Sequence, residues 1–341
     1  MHFAGGFGVG ALDLHEAAIP QGGRVKGGHH VADRPGERLD RFLADLYPGY
    51  NRAHIQDLIR RGKVTVDGKP KAPAYRLKGG EHIGLEAPAE AWSDISFAKS
   101  VIREDEQLLV MRKPAGFLTH PMNDSWLNAP EAALESDDPN IAGLLLRHRP
   151  DTCGTLERCG IVHRLDRQTS GALIVAKTRD AQEHLLAAFR DREVEKVYRA
   201  VVLGTLDEKT LVDAPVGRRP GHRKIEVTPF GRDASTEFRS LESARGLSLV
   251  EARPKTGRTH QIRVHSAHLG IPVLGDPEGF DAHRDKVFLG LNAPKPPRMM
   301  LHAYRVRFTH PESGKTVSYT ATPPKDFQEY WDSVKGGELS S

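Results

Sequence analysis

Residues 160–176 constrain this chain more than any other stretch. Gly160-Ile161-Val162-His163-Arg164-Leu165-Asp166-Arg167-Gln168-Thr169-Ser170-Gly171 sets one carboxylate between two arginines and closes on a glycine. The apolar run Ala172-Leu173-Ile174-Val175-Ala176 follows at once. A short run of this kind, rich in β-branched residues, reads as a buried strand. Asp166 therefore stands at a loop–strand junction in a cationic setting. Neighbouring positive charge favours the ionised carboxylate, which suits nucleophilic or electrostatic work more than proton donation.

The 341 residues are enough for one large domain with a smaller companion. Hydrophobic residues make up 38% and charged residues 28%, and no apolar run reaches bilayer length, so a soluble, cytoplasmic protein is expected. The opening residues Met1-His2-Phe3-Ala4-Gly5-Gly6 lack the basic and apolar regions of a secretory signal. Cys153 and Cys159 are too few for a disulfide framework and poorly spaced for zinc, so two reduced thiols are expected. A net charge of +4, from 49 Lys and Arg against 45 Asp and Glu, permits a nucleic-acid partner without requiring one.

Residues 1–35 are rich in Gly and His without sustained periodicity, and read as a flexible leader. Gly6-Phe7-Gly8-Val9-Gly10 has neither a preceding strand nor a following Gly-Lys-Ser/Thr, so it is no phosphate loop. Residues 37–86 read as a separate α/β unit. Leu39, Phe42, Leu43 and Leu46 mark one face of a helix. Asn51 can cap a second helix, lined by Ile55, Leu58 and Ile59 and ended by Gly62. Val64-Thr65-Val66 runs into the hairpin signal Asp67-Gly68, and His82-Ile83-Gly84-Leu85 closes the unit. Ten basic residues against seven acidic ones leave it positive, and Arg52, Arg60, Arg61 and Lys63 flank the second helix and its exit. A charge run alone is usually a solvated helix face. The helix–helix–hairpin order, however, resembles the S-four-type RNA-binding domain, which implies phosphate contacts that position RNA without reading its sequence.

A linker over 87–96 leads to a larger unit over 97–330, with 331–341 as a frayed tail. Strands are expected at Val101-Ile102 and Leu108–Met111, followed by the turn Lys113-Pro114-Ala115-Gly116 and by His120. Residues 122–159 read as a polar insertion with one helical stretch near Ile141–Leu146. Past the Asp166 segment comes a helix over 181–192. In Lys196–Leu203, Tyr198, Ala200 and Val202 share one strand face. Arg218, Arg219, Arg223 and Lys224 form a basic loop, and three strands after it suggest an antiparallel meander, not βαβ winding. Lys255-Thr256-Gly257-Arg258-Thr259-His260-Gln261-Ile262-Arg263-Val264-His265 enters a helix that ends near Leu269-Gly270. His260 and His265 point to different sides of a helix with no carboxylate to complete a set, so no metal is expected.

Four of these elements, in this order, resemble the RluA/RluD-type ribosomal RNA pseudouridine synthases. They are Lys-Pro-Ala-Gly-x-x-x-His at 113–120, His-Arg-Leu-Asp-Arg-x-Thr-Ser-Gly at 163–171, Lys-x-Tyr-x-Ala at 196–200, and Thr-Gly-Arg-Thr-His-Gln-Ile-Arg-Val-His at 256–265. Arg112 stands where the family commonly has Asn. Glu278-Gly279-Phe280 after Gly275-Asp276-Pro277 departs from the family's aromatic-Gly order. The resemblance implies an α+β fold: the small RNA-binding domain, then a catalytic domain with a large, mostly antiparallel mixed sheet. It implies isomerisation of uridine to pseudouridine after base flipping, by a monomer with no cofactor, metal, nucleotide or membrane partner. Asp166 would be catalytic, paired with Arg263, with Tyr198 stacked on the detached uracil and able to take part in proton removal from carbon five. Arg164, or else His163, would fill the vacated stack. Arg167, Lys113, His120, Arg258 and His260 would contact RNA. Whether Asp166 attacks the sugar, attacks the base or abstracts a sugar proton stays open.

Two other readings compete. A kinase would place Asp one residue earlier and add Asp-Phe-Gly, which is absent. A ribosome-assembly RNA-binding protein with secondary or lost catalysis shares the expectation of RNA binding and differs in whether Asp166 does chemistry. Within the family, the domain order looks most like the RluD type acting on large-subunit ribosomal RNA, with RluC-like or transfer RNA specificity as alternatives.

Overall fold

Residues 28–47, 52–85, 96–278 (except 123, 129, 135, 137, 207 and 208) and 293–336 are described in the computed structural model of the chain. Contacts divide the chain into two units, Met1–Ala87 and Pro88–Ser341. The first runs β1 (Gly28–Val31), α1 (Leu39–Leu46), α2 (Arg52–Arg60), β2 (Val64–Val66), β3 (Lys69–Pro70) and β4 (His82–Leu85). Its strands form an antiparallel sheet in the order β1-β4-β2-β3. The periodic apolar residues Leu39, Phe42, Leu43, Ile55, Leu58 and Ile59 bury against Val64, Val66, Ile83 and Leu85. Asp67 and Gly68 both take positive φ, the conformation a two-residue hairpin between twisted strands requires.

Buried Asp40 ties the two helices of this unit together. It accepts hydrogen bonds from Arg38 at 3.0 and 2.9 Å, from Arg52 at 3.1 Å and from Gln56 at 2.6 Å. Arg38, with help from Gln56 and Arg52, outweighs the burial penalty and holds the carboxyl down to about 2. The expected leader extends too far: Gly28–Val31 pairs with β4 as an edge strand. A four-residue Gly-His-His-Val strand carries no alternation long enough to detect. The rest of that leader, residues 1–27, and the proposed cap at Asn51 lie outside the described residues.

The second unit opens with α3 (Phe97–Ser100), β5 (Val101–Glu104) and β6 (Leu108–Lys113), then α4 (Ser125–Asn128), α5 (Ile141–His148) and α6 (Pro150–Thr155). Next come β7 (Ser170–Ala176), α7 (Arg179–Arg190), β8 (Glu195–Leu203), β9 (Thr210–Asp213), β10 (Val216–Gly217) and β11 (Glu226–Val227). β12 (Ser235–Ala244), β13 (Leu247–Pro254), α8 (Gln261–His268), β14 (Leu301–Thr309), β15 (Thr316–Thr320) and α9 (Lys325–Lys335) complete it. Nine strands make one sheet, β5-β6-β7-β14-β8-β13-β12-β9, with β15 branching from β14. All pairs are antiparallel except β7 with β14.

The strand predicted after Asp166 is buried on both faces. Leu173 and Val175 pack under the segment 117–165, while Ala172, Ile174 and Ala176 face α7 through Ala181, Leu185 and Ala188. Burial on two sides explains why the run is continuously apolar instead of alternating. β8 divides similarly: Val201 and Leu203 meet α9, and Ala200 and Val202 meet Ile262 of α8.

Three expectations need correction. The region 122–159 is a packed helical layer, since Trp126, Ala133, Ile141, Leu144 and Leu145 all bury in one cluster with β6 and β7. Its helices are too short for the apolar period to stand out. Cys153 and Cys159 are joined as a disulfide, because α6 and the left-handed residues Arg158, Cys159 and Gly160 fold the chain back on itself. The tail begins later than residue 331, since α9 continues to Lys335 with Trp331 and Val334 buried.

Gly171, at the β7–β14 crossing, has φ +122°, and an added Cβ would lie 2.6 Å from the Ala303 nitrogen. Gly171→Ala is expected to destabilise the protein by about 1–3 kcal/mol through overpacking against backbone. Gly154→Ala, whose added Cβ meets nothing within 4 Å, should leave the thermal midpoint within a degree or two of wild type, about ±0.5 kcal/mol. Equal midpoints for the two variants would contradict this account of the crossing.

Candidate active site

Polar and charged side chains from three distant segments meet in one cavity of about 480 Å³. Its walls come from the Asp166 segment, the end of α7, one face of β8 and residues 254–263. Asp166, Tyr198 and Arg263 all line it. An Arg263 Nη1–Asp166 Oδ2 distance of 3.4 Å makes the expected pair. The larger share of the guanidinium, however, belongs to Asp276: Nε donates to Oδ2 at 2.9 Å and Nη2 to Oδ1 at 2.7 Å. Burial alone would lower the Arg263 pKa, but the Asp276 hydrogen bonds and charge, with Asp166 behind them, raise it. Arg263 is thus a permanently charged group held by one carboxylate and turned toward another.

Tyr198 is on the predicted face of β8 with Ala200 and Val202. Burial, followed by the Asp166 charge, raises its pKa, so the phenol stays protonated. His260 opens α8 in a left-handed conformation, with φ 57°. Its Nε2 lies 4.0 Å from Asp166 and its Nδ1 3.4 Å from Glu278, while Glu278 also stands 3.4 Å from Arg263. Gln261 knits the entry loop together. Its Oε1 accepts from Thr256 Oγ1 and from the Arg258 amide, and its Nε2 donates to the Ser235 carbonyl and Thr236 Oγ1. Arg258 lines the cavity and donates to the Asp233 carbonyl at 3.0 Å. His265 is held by Thr236 Oγ1 and the Ala214 carbonyl, both at 2.9 Å.

The remaining predicted residues separate sharply. Arg164 is exposed at the cavity and, among the described residues, makes no hydrogen bond or ion pair. His163 is fixed: its Nε2 accepts the Ile174 amide hydrogen at 2.9 Å, and its ring stacks on Phe189 at 4.6 Å. Burial, with a smaller effect from Lys196, pushes its pKa down to about 3. Arg167 is absent from the cavity wall; it pairs with Asp138 at 2.9 Å and donates to the Gly116 carbonyl. Lys113 is fully buried, not an RNA-facing cation. Its ammonium donates to the carbonyls of Pro114, Phe117 and Arg167, and burial pulls its pKa down to about 7. His120 stacks on Trp126 outside the cavity and bonds to the Pro121 carbonyl. In the first unit Arg52 is engaged by Asp40, and Arg60 is exposed with a hydrogen bond to Gln56 at 3.2 Å. Arg61 is exposed and Lys63 half-buried.

Asp276, Glu278 and Gln261 in this network, and Lys196 in the cavity wall, are not singled out as site residues by the sequence. Asp276 was noted only as part of a Gly-Asp-Pro turn, and no spacing links it to Arg263 before α8 and the following turn are built. Lys196, near the start of β8, carries no sequence sign that it lines the cavity, since lysines at strand ends are usually solvated.

The sequence pattern of RNA pseudouridylate synthase matches residues 107–268, and that of the S4 domain matches residues 37–83. The chain belongs to the RNA pseudouridylate synthase family. It is 36% identical over 320 residues to ribosomal large subunit pseudouridine synthase D of Xanthomonas campestris, covering 89% of this chain and 92% of that one. It is 35% identical over 300 residues to the same-named protein of Pseudomonas aeruginosa, covering 86% and 90%. Among solved structures, human RNA pseudouridylate synthase domain containing 1 is 26% identical, with a TM-score of 0.50, over 66% of this chain and 83% of that one. As a synthase of this family the chain is an isomerase, with the family fold behind an S4 domain.

The histidine pinned to β7 makes a pH prediction. Its folded pKa lies below the ordinary value, so the unfolded chain binds the proton more readily, and stability is lost as pH falls from about 6.5 toward 3. The slope from this group is at most about 1.4 kcal/mol per pH unit. His163→Gln keeps an acceptor for the Ile174 amide without titrating. Urea unfolding at pH 6.5 and pH 4.5 should therefore show a smaller acid loss for the variant, and equal losses would refute the assignment.

Proposed function

We propose that this synthase isomerises uridine in large-subunit ribosomal RNA in the cytoplasm, with Asp166 as its catalytic carboxylate. The convergence of Asp166, Arg263 and Tyr198 in one cavity supports the reading most directly. In the reaction the N1–C1′ bond breaks, uracil turns, a C5–C1′ bond forms and the proton on carbon five leaves as N1 gains one. The heteroatom count is unchanged and no electrons are gained or lost, so the chain's own acid–base groups suffice. The names of the similar bacterial proteins, and an S4 domain ahead of the catalytic unit, support the ribosomal target. Among the described residues no helix is long and apolar enough to cross a membrane.

Each side chain has a distinct part in this reading. Arg263 pairs with Asp166 and aims it, while Asp276 keeps Arg263 from turning away. Tyr198, protonated by its buried setting, offers a flat face to the detached uracil and is better suited to stacking than to removing a proton. Arg164 enters the space left by the flipped base, since it is the unengaged neighbour and His163 is locked to β7. Lys113 and His163 act as struts of the Asp166 loop.

Asp166→Asn should abolish tritium release from RNA labelled at carbon five of uridine, by 10³-fold or more. Release at the wild-type rate would overturn the catalytic assignment and favour a binding protein. In the first unit, Arg60→Glu should weaken RNA binding about equally across sequences and reduce the salt slope of log Kd by roughly 1–2. An unchanged slope would remove this unit from RNA docking.

A further inference from the structure

The cavity around Asp166 is electrostatically divided. On the α8 side, Arg263 and His260 face Asp166, Asp276 and Glu278. On the β8 side stand Lys196, Arg192 and Lys255, all lining the same cavity. Among the described residues none of these three makes an ion pair with a carboxylate. Among the described residues the Lys196 ammonium makes one hydrogen bond, to the Thr256 carbonyl at 3.2 Å. Across from it lies Gly257, where even an added Cβ would come only to 3.9 Å of the nitrogen. Lys196 lies two residues before Tyr198, so the two side chains share one face of β8. Arg192, left-handed at φ 65°, turns the chain from α7 into β8, and its charge acts on Lys196.

A half-buried cation in a cavity wall, held by one carbonyl and no carboxylate, is open to an anionic ligand. Here the missing negative charge sits beside the place where a nucleotide is processed. We propose that Lys196, backed by Arg192, is a subsite for a backbone phosphodiester of the RNA, one of the two flanking the uridine held at Asp166. The subsite rests on the uridine-isomerising reading of the cavity and adds to it the means by which the flipped nucleotide is held from its backbone side. Burial, followed by the charge of Arg192, pulls the Lys196 pKa down to about 8. The other groups that face it are Thr256 and Lys255 from the loop after β13, neutral His163 from the Asp166 segment, and protonated Tyr198 beside it. None supplies a negative charge, and a phosphodiester does.

The test uses the full-length protein and a synthetic RNA hairpin with one loop uridine, labelled at carbon five. The hairpin is made with normal phosphates, or with one neutral methylphosphonate on the 5′ or the 3′ side of that uridine. Lys196→Met should raise KM about 10–100-fold, the worth of one charge-assisted hydrogen bond, with kcat within about threefold. One of the two methylphosphonates should cost wild type as much and cost the variant almost nothing more. Lys196→Arg should keep KM within about threefold of wild type. Penalties that multiply, or a fall in kcat at unchanged KM, would overturn the subsite. Should Lys196→Met not fold, judged by its circular dichroism and melting, the decision passes to wild type against Lys196→Arg. Wild-type KM should then climb about tenfold per pH unit above about 8, and the Arg variant's should not; parallel profiles would overturn the proposal. The same methylphosphonate comparison is also read as Kd. Absent tritium release by wild type would therefore count against the isomerase reading, and absent coupling against this subsite.

Discussion

The architecture of the site depends on one buried guanidinium. Arg263 is only 8% exposed and its main partner, Asp276, only 2%. Removing two such charges from water costs several kcal/mol each, and this is offset only when geometry satisfies nearly every donor. Asp276 achieves that with two short parallel bonds to Nε and Nη2, which leaves Nη1 as the one group directed at Asp166. Asp166 is therefore oriented by a cation that cannot readily follow it. A surface arginine would adjust its rotamer to any movement of the carboxylate, and would lose most of its influence to solvent.

The loop carrying Asp166 is secured from behind by a second buried cation. Lys113 ends β6 and reaches the carbonyl of Arg167, immediately after Asp166, while also bonding to two carbonyls of its own turn. Gly116 adds an amide hydrogen bond to the same Arg167 carbonyl at 2.8 Å. The Lys-Pro-Ala-Gly segment is thus a clamp on the Asp166 loop, and its glycine takes φ 88° as it turns. Proline and glycine alone suggested a turn. The lysine is what attaches that turn to the site.

Much of the fold was legible because its signals were local. The apolar run after Gly171, the alternation around Tyr198 and the Asp67-Gly68 hairpin each carry their information within a few residues. The three converging site residues were legible for another reason: they lie in motifs whose resemblance to a family supplied the long-range geometry. What escaped was information held only in tertiary structure. Lys113 and Arg263 are both cations in turn-rich segments, and sequence placed the first on the RNA surface, although both are buried. Asp276 becomes a partner for Arg263 only once α8 and the following turn fold together. β1 was missed for lack of length, and the helices over 125–155 because each turns too few times to show a period.

The order His-Arg-Leu-Asp itself has a physical basis in how the segment is held. His163 accepts a hydrogen bond from β7, and Leu165 is bound through both its amide and its carbonyl to Thr119 Oγ1. These alternate residues fasten the segment to the sheet and to the strand-leading loop. Arg164 and Asp166 alternate with them, so their side chains are left to the cavity with different freedoms. Asp166 is restrained by Arg263, and Arg164 is restrained by nothing described. That inequality suits the proposed base flipping: a carboxylate that stays in place while the base moves, and beside it a flat cation free to enter the space the base leaves in the stack. Inserting or deleting one residue between them would exchange the anchored and the free positions.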